Sequence, residues 1–156
     1  MSQQRKLLII AHTPSANTKL LADSVMKGAC NTDIDNVDVR CLTPLETHAS
    51  DINTADAIVI GTTENLGYMA GLVKDVFDRC YYDCIDKTQG MPFSFYVRAG
   101  HDGTGTRRAI ESITTGLKWR LVQEPLICRG DFQSIFVDQC EELGLTMAAS
   151  LDAGII

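Results

Sequence analysis

Lys6-Leu7-Leu8-Ile9-Ile10-Ala11-His12-Thr13-Pro14-Ser15-Ala16-Asn17-Thr18-Lys19-Leu20-Leu21-Ala22 reads as a strand, a short polar loop and the start of a helix. Leu7 to Ala11 is apolar at every position, as a strand buried on both faces requires. Leu20, Leu21 and Val25 then fall at helical spacing. A strand that feeds a helix through such a loop points backbone N–H groups and a helix dipole at one spot. That spot suits an anion, most often a phosphate. The hydroxyls of Thr13, Ser15 and Thr18 and the Asn17 amide are further donors. Lys19 is the one formal cation of the stretch, and on a helix it can point away. The loop is neither G-x-G-x-x-G nor G-x-x-x-x-G-K-[ST]. Ser, Thr and Asn also cap helices and turn chains without any ligand, so both readings stand.

Working outward, the first helix is predicted over Thr18–Ala29 and an alternating second strand over Val37, Val39 and Cys41, suited to a sheet edge. Thr43 to Thr54 is a connection with room for one helical turn. Ala55–Ile60 is a third buried strand, followed by a loop from Gly61 to Met69. Leu72, Val73, Val76, Phe77 and Cys80 form a helical stripe. Pro92–Val97 is a fourth strand and Arg98–Gly105 a second glycine-rich loop. Ile110, Ile113 and Leu117 mark a helix reaching Leu121, and Pro125–Cys128 a fifth strand. Cys140, Leu143, Met147 and Leu151 mark a last helix that stops near Gly154. Strands alternating with helices predict an α/β fold with a mostly parallel sheet covered on both faces. Ligands of such sheets sit beyond the carboxyl ends of the strands. The loops after strands one, three and four lie at that end and are the richest in Gly, Ser, Thr and Asn.

The 156 residues suit one domain, 1–156. The net charge of -6 argues against nucleic acid and anionic membrane as partners, while permitting a basic protein partner. Six cysteines occur with no C-x-x-C pair and no zinc-finger spacing, so no metal is expected. Arg5-Lys6 before a short apolar run is a strand rather than an export signal, so a reduced cytoplasmic setting is expected. No apolar run is long enough to span a membrane.

Thr13-Pro14-Ser15-Ala16-Asn17-Thr18 resembles the phosphate loop of the flavodoxin-like FMN-binding superfamily. The block from Ala55 to Glu64, continued by Gly67-Tyr68-Met69-Ala70-Gly71-Leu72-Val73-Lys74-Asp75-Val76-Phe77-Asp78-Arg79, is similar to the strand, flavin loop and helix of its NAD(P)H-dependent FMN and quinone reductase branch. The resemblance runs from about Lys6 to Ala153. It implies a flavodoxin-like three-layer sandwich, a five-stranded parallel sheet in order 2-1-3-4-5, and one non-covalent FMN. By that resemblance, Thr13, Ser15, Ala16, Asn17 and Thr18 hold the phosphate. Thr62, Thr63, Glu64, Asn65, Leu66, Gly67 and Tyr68 form one wall of the ring site. Arg98, Ala99, Gly100, His101 and Gly103 form the other. The chain departs from the family in having Thr63 where Pro is frequent, Leu66 where an aromatic is frequent, and Ala16 for a loop glycine.

An isoalloxazine ring needs an apolar slot and hydrogen bonds to its polar edge. Gly67 can turn a peptide carbonyl toward the ring N5, or simply relax a loop. Backbone donors from Arg98 to Gly105 are expected at the pyrimidine edge. Tyr68 is the only aromatic of the second loop and the third has none, which leaves one ring face open to a nicotinamide. The flavin carries the redox chemistry, so no side-chain nucleophile is expected. His101 stands where it could orient a quinone or reduced flavin, or be a solvated loop histidine. The expectation is an oxidoreductase moving electrons from NAD(P)H to a quinone, flavin or similar acceptor. The alternatives are an electron-carrier flavodoxin serving a redox protein, and a flavin-free phosphate-binding or regulatory module. Cys80 and Cys84 read as buried thiols or a redox pair. Arg107 and Arg108 read as solvated or as a nicotinamide-phosphate contact. Tyr81 and Trp119 read as packing, a dimer surface or a cofactor box, and a homo-oligomer stays open.

Overall fold

Alternation along the strands decides how the layers assemble. In β1 (Arg5–Ala11), Leu8 and Ile10 join one buried cluster while Leu7, Ile9 and Ala11 join the other. In β3 (Ala57–Asn65), Ile58 and Ile60 likewise oppose Ala57 and Val59. Both strands are therefore buried on two faces, as their unbroken apolar runs require. The structure is a computed structural model and describes residues 3–156.

The remaining elements are α1 (Ala16–Ala29), β2 (Val37–Leu42), a 3-10 turn over Pro44–Glu46, α2 (Ala49–Asn53), β4 (Tyr68–Met69), α3 (Gly71–Cys84), β5 (Pro92–Ala99), α4 (Thr104–Gly116), β6 (Arg120–Leu121), β7 (Leu126–Arg129) and α5 (Ser134–Asp152). The cluster on one face is completed by α1 and α5, and that on the other by α3 and α4. The sheet runs β2-β1-β3-β5-β6, with β7 also pairing β5 in parallel and β4 antiparallel to β3. The order expected from sequence is thus present, and β2 is an edge strand. The strand count differs: the described residues form seven strands, not five.

Two local causes account for the extra strands. The fifth position is shared by β6 and β7 because the register against β5 shifts by two residues between the Phe93–Leu121 and Tyr96–Leu126 pairs, and Pro125, in the intervening stretch, has no N–H for the ladder. Ser94 Oγ instead donates to the Gln123 carbonyl at 3.0 Å across the gap. The second difference is the stretch from Gly61 to Met69, which is not a loop. β3 continues to Asn65, with Thr62 in register with Val97 and Thr63 with Arg98. Leu66 (φ 54°) and Gly67 (φ 75°) then turn the chain into β4. Positive φ at both central residues is the geometry of a two-residue hairpin turn.

The connection from Thr43 to Thr54 holds the 3-10 turn and the five-residue α2. Thr43 Oγ1 caps the 3-10 turn and the Glu46 carboxylate answers by accepting the Thr43 N–H at 3.0 Å. α1 and α5 touch through backbone. A Cβ on Gly28 would lie 1.9 Å from the Glu141 carbonyl oxygen, and one on Gly144 would lie 2.0 Å from that of Val25. No larger residue fits either position without moving a helix. Trp119 is buried, and its indole N–H donates to Thr88 Oγ1 at 2.9 Å, so it packs the core rather than a dimer surface.

Candidate functional site

Three chain segments meet at the carboxyl end of the sheet: the β1–α1 loop, the β3–β4 hairpin, and the β5–α4 loop. The first is organised by contacts three residues apart. Ser15 caps α1, its Oγ accepting the Thr18 N–H at 3.2 Å, while Thr18 Oγ1 accepts the Ser15 N–H at 2.9 Å. Thr18 is buried by this arrangement; Ser15, Ala16 and Asn17 are exposed. The helix therefore begins at Ala16, two residues before the expected start. The Ala16 and Asn17 N–H groups open the helix and have no intrahelical acceptor. No acidic side chain stands in that turn. Lys19 pairs down the helix with Asp23, so its charge is turned from the loop. His12 lies at the end of the strand, and burial pushes its imidazole below the ordinary 6.5. The loop is a cradle of dipole, N–H and hydroxyl groups.

The capping and anion readings of this loop are compatible, with one division of labour. The Ser15 and Thr18 hydroxyls serve the cap, whereas Asn17 is exposed and the Ala16 and Asn17 N–H groups are left without an intrahelical acceptor. Beside the cradle, an open cavity of about 400 Å³ lies between α1 and β2, lined by Thr13, Lys19, Asp23, Met26, Cys41 and Thr43 among others. Its lining includes no residue of the other two segments.

Those other two segments are joined to each other. Glu64, half-buried near the end of β3, accepts the His101 N–H on one carboxylate oxygen and the Gly103 N–H on the other, each at 2.8 Å. Thr62 Oγ1 accepts the Ala70 N–H at 3.0 Å and donates to the Thr63 carbonyl, fixing the hairpin base. Thr63 Oγ1 donates to the Asn65 side-chain oxygen at 2.8 Å. Leu66 stands fully exposed at the tip, and Tyr68 is 40% exposed beside it. A Cβ on Gly105 would lie 2.1 Å from the Gly67 carbonyl oxygen, so hairpin and helix meet backbone to backbone.

Two expectations change here. The His101 and Gly103 N–H groups, expected to face a pyrimidine edge, are taken by Glu64. The Gly100 N–H has no protein acceptor among the described residues. The Arg98 side chain reaches toward the start of α5. Its guanidinium donates to the Ala99 and Cys128 carbonyls and lies over Phe132 and Phe136, 5.7 and 5.5 Å from the ring centroids. The glycine-rich segment is shorter than expected, since Ala99 ends β5 and Gly103 caps α4 with φ 71°. The His101 side chain is exposed.

Sequence reasoning missed Tyr96. It is buried, and its hydroxyl has no hydrogen-bond partner. It lies over Gly61, where a Cβ would sit 2.2 Å from the phenol oxygen; Gly61 in turn pairs with Ala11 beneath the first loop. Burial drives the phenol well above its usual range, so it stays neutral. The available signal was a glycine ending the apolar run of β3, level with an aromatic in the neighbouring strand. Cys80 and Cys84 are buried free thiols, and burial pushes Cys84 up to about 11. Arg107 bonds to Glu111 and Glu124. Among the described residues, no helix is long and apolar enough to cross a membrane, and no group of three His, Cys, Asp or Glu side chains forms a metal cluster.

The same architecture occurs in solved structures. A flavodoxin from the domain Archaea superposes with a TM-score of 0.76 at 17% identity, covering 94% of this chain and 98% of that one. The two-electron reduced flavodoxin of Megasphaera elsdenii gives 0.74 at 17% identity, covering 92% and 98%. The fold is flavodoxin-like. In sequence, this flavodoxin-like chain is similar to a flavodoxin of Aquifex aeolicus, 30% identical over 112 residues. That match takes in 72% of this chain and 60% of the relative's length. No protein-family model matches.

Proposed function

We propose that the chain binds FMN non-covalently and works as a flavin-dependent electron-transfer protein. The observation that carries this reading is the convergence of an exposed helix N-terminus with two backbone-lined walls at one rim of the sheet. Ser15, Ala16, Asn17 and Thr13 would hold the phosphate; with Lys19 bound to Asp23, they act through N–H and hydroxyl donors. The hairpin from Thr62 to Tyr68 and the segment from Ala99 to Gly103 would hold the ring. Leu66 and Tyr68 supply apolar surface there, and the Gly100 N–H is a donor for the polar edge. FMN, when bound, supplies the hydride and electron chemistry; the protein's part is to bind, orient and tune it.

The finer reading is an oxidoreductase that takes hydride from NAD(P)H and delivers electrons to a quinone, flavin or similar small acceptor. It is supported by the third segment, where no aromatic side chain stands over the ring position. A carrier that docks on a redox protein is the second reading, favoured by Leu66, Tyr68 and Leu72 exposed around the rim. The first test is a titration of flavin-free protein with FMN. Saturable quenching of flavin fluorescence is expected, and its absence leaves only a flavin-free module. Anaerobic mixing of the FMN-loaded protein with NADPH or NADH separates the other two: rapid bleaching supports the reductase, and no bleaching without an added reductase supports the carrier.

A further inference from the structure

We propose that Glu64 is the positioning residue of the ring site: its carboxylate sets the separation and the charge of the two walls between which a flavin ring is held. The proposal rests on the FMN reading above. Glu64 follows Ile58, Ile60 and Thr62 on the face of β3 covered by α3 and α4, which brings its side chain under the segment that opens α4. Each oxygen takes one N–H, His101 from 37 and Gly103 from 39 residues away. No other side-chain hydrogen bond among the described residues joins the hairpin to this segment.

Each wall is fixed on its far side by other groups. Arg129 Nε donates to the Asp102 carbonyl at 2.8 Å, and Asp102 Oδ1 accepts the Thr104 N–H at 3.0 Å. Ala70 holds the base of the hairpin through Thr62. Beyond the last β3–β5 ladder pair, Glu64 is the side chain that couples one wall to the other. Without it, the His101 and Gly103 N–H donors would face the hairpin with no acceptor, and beyond the last β3–β5 pair, Thr63 with Arg98, the separation would rest on the contact between Gly67 and Gly105. The arrangement also decides which donors a ligand can use, because alternate N–H groups of the segment are occupied. It further places a carboxylate in the wall of a site whose ligand gains negative charge on reduction. Coulomb repulsion then disfavours that reduction.

The test compares wild type with Glu64→Gln and Glu64→Ala. Hydrogen exchange at the His101 and Gly103 amides, followed by NMR in flavin-free protein, is expected to speed up in both variants. Kd for FMN and for riboflavin is expected to rise by the same factor, about tenfold, because the lost bonds lie in the ring walls and not in the phosphate cradle. The midpoint potential of FMN bound to Glu64→Gln is expected to move to more positive values, a readout that a purely structural role leaves in place. Glu64→Gln preserves side-chain volume and carries the test if Glu64→Ala does not fold. Variants with unchanged exchange, both flavin affinities within twofold of wild type and the same potential overturn the proposal alone. Wild-type protein that takes up neither FMN nor riboflavin overturns the FMN reading and the proposal with it.

Discussion

The proposed phosphate cradle and the proposed ring walls lie at the same rim but are built in opposite ways. The cradle closes on itself: Ser15 and Thr18 exchange hydrogen bonds three residues apart, and the helix that follows supplies the dipole. The ring walls are held by contacts across 37 and 39 residues, through one carboxylate. A site assembled from local bonds stands or falls with its own loop and the helix that carries it. A site assembled across the fold depends on the register of β3 against β5 and on the placement of α4. The two halves should therefore respond separately to substitution.

The largest effect is expected where the cradle's helix meets its one large backbone contact. Gly144→Ala forces a methyl group against the Val25 carbonyl, 2.0 Å away, and should destabilise the protein by up to about 3 kcal/mol in urea denaturation. Because α1 must shift, FMN affinity should fall more than riboflavin affinity; an equal fall would break the separation of the two halves. Ser15→Ala with Thr18→Ala removes the capping box and the Ser15 hydroxyl proposed as a phosphate donor. FMN binding should weaken by about 2 kcal/mol while riboflavin binding holds, measured by fluorescence titration. An unchanged FMN affinity would remove the cradle from the site.

Leu66→Gly addresses the other half. A left-handed Leu costs about 1 kcal/mol relative to a residue without a Cβ, so the variant should gain up to that amount in chemical denaturation. It also loses the apolar tip, so FMN and riboflavin should bind equally more weakly. The smallest effect is in pH. The Glu46 carboxyl is held below its usual 4.5 by the Thr43 N–H, and that of Asp102 below 3.8 by the Thr104 N–H. Depressed folded-state values mean that these bonds contribute fully above the ordinary carboxylate range and are lost as pH falls through the folded values. Stability should therefore decline below about pH 4, and Asp102→Asn should flatten its share of that decline.

Legibility followed the same division. The strand of Leu7–Ala11, the helix beyond it and the hydroxyl loop between them were readable because apolar period and capping residues are local signals. The stripe of Val73, Val76, Phe77 and Cys80 was readable for the same reason. Thr62 and Thr63 read as loop from sequence, because polar residues in a glycine-flanked stretch look like one; only pairing with Val97 and Arg98 makes them strand. The resemblance puts Arg98 in the ring wall, a placement in sequence that says nothing of where its side chain goes. Phe132 and Phe136, more than thirty positions away, claim its guanidinium instead.

The sequence by itself determined the alternation of buried strands and helices, the rim at which the glycine- and hydroxyl-rich segments gather, and the capped helix N-terminus after the first strand. Each depends on residues within a turn or two of one another. The tertiary structure alone decided that the fifth strand is split, that the second segment is a hairpin, and that Glu64 rather than a ligand holds the His101 and Gly103 N–H groups. Those outcomes hang on which distant groups the folded sheet brings within hydrogen-bonding range, and pattern along a chain carries no record of that distance.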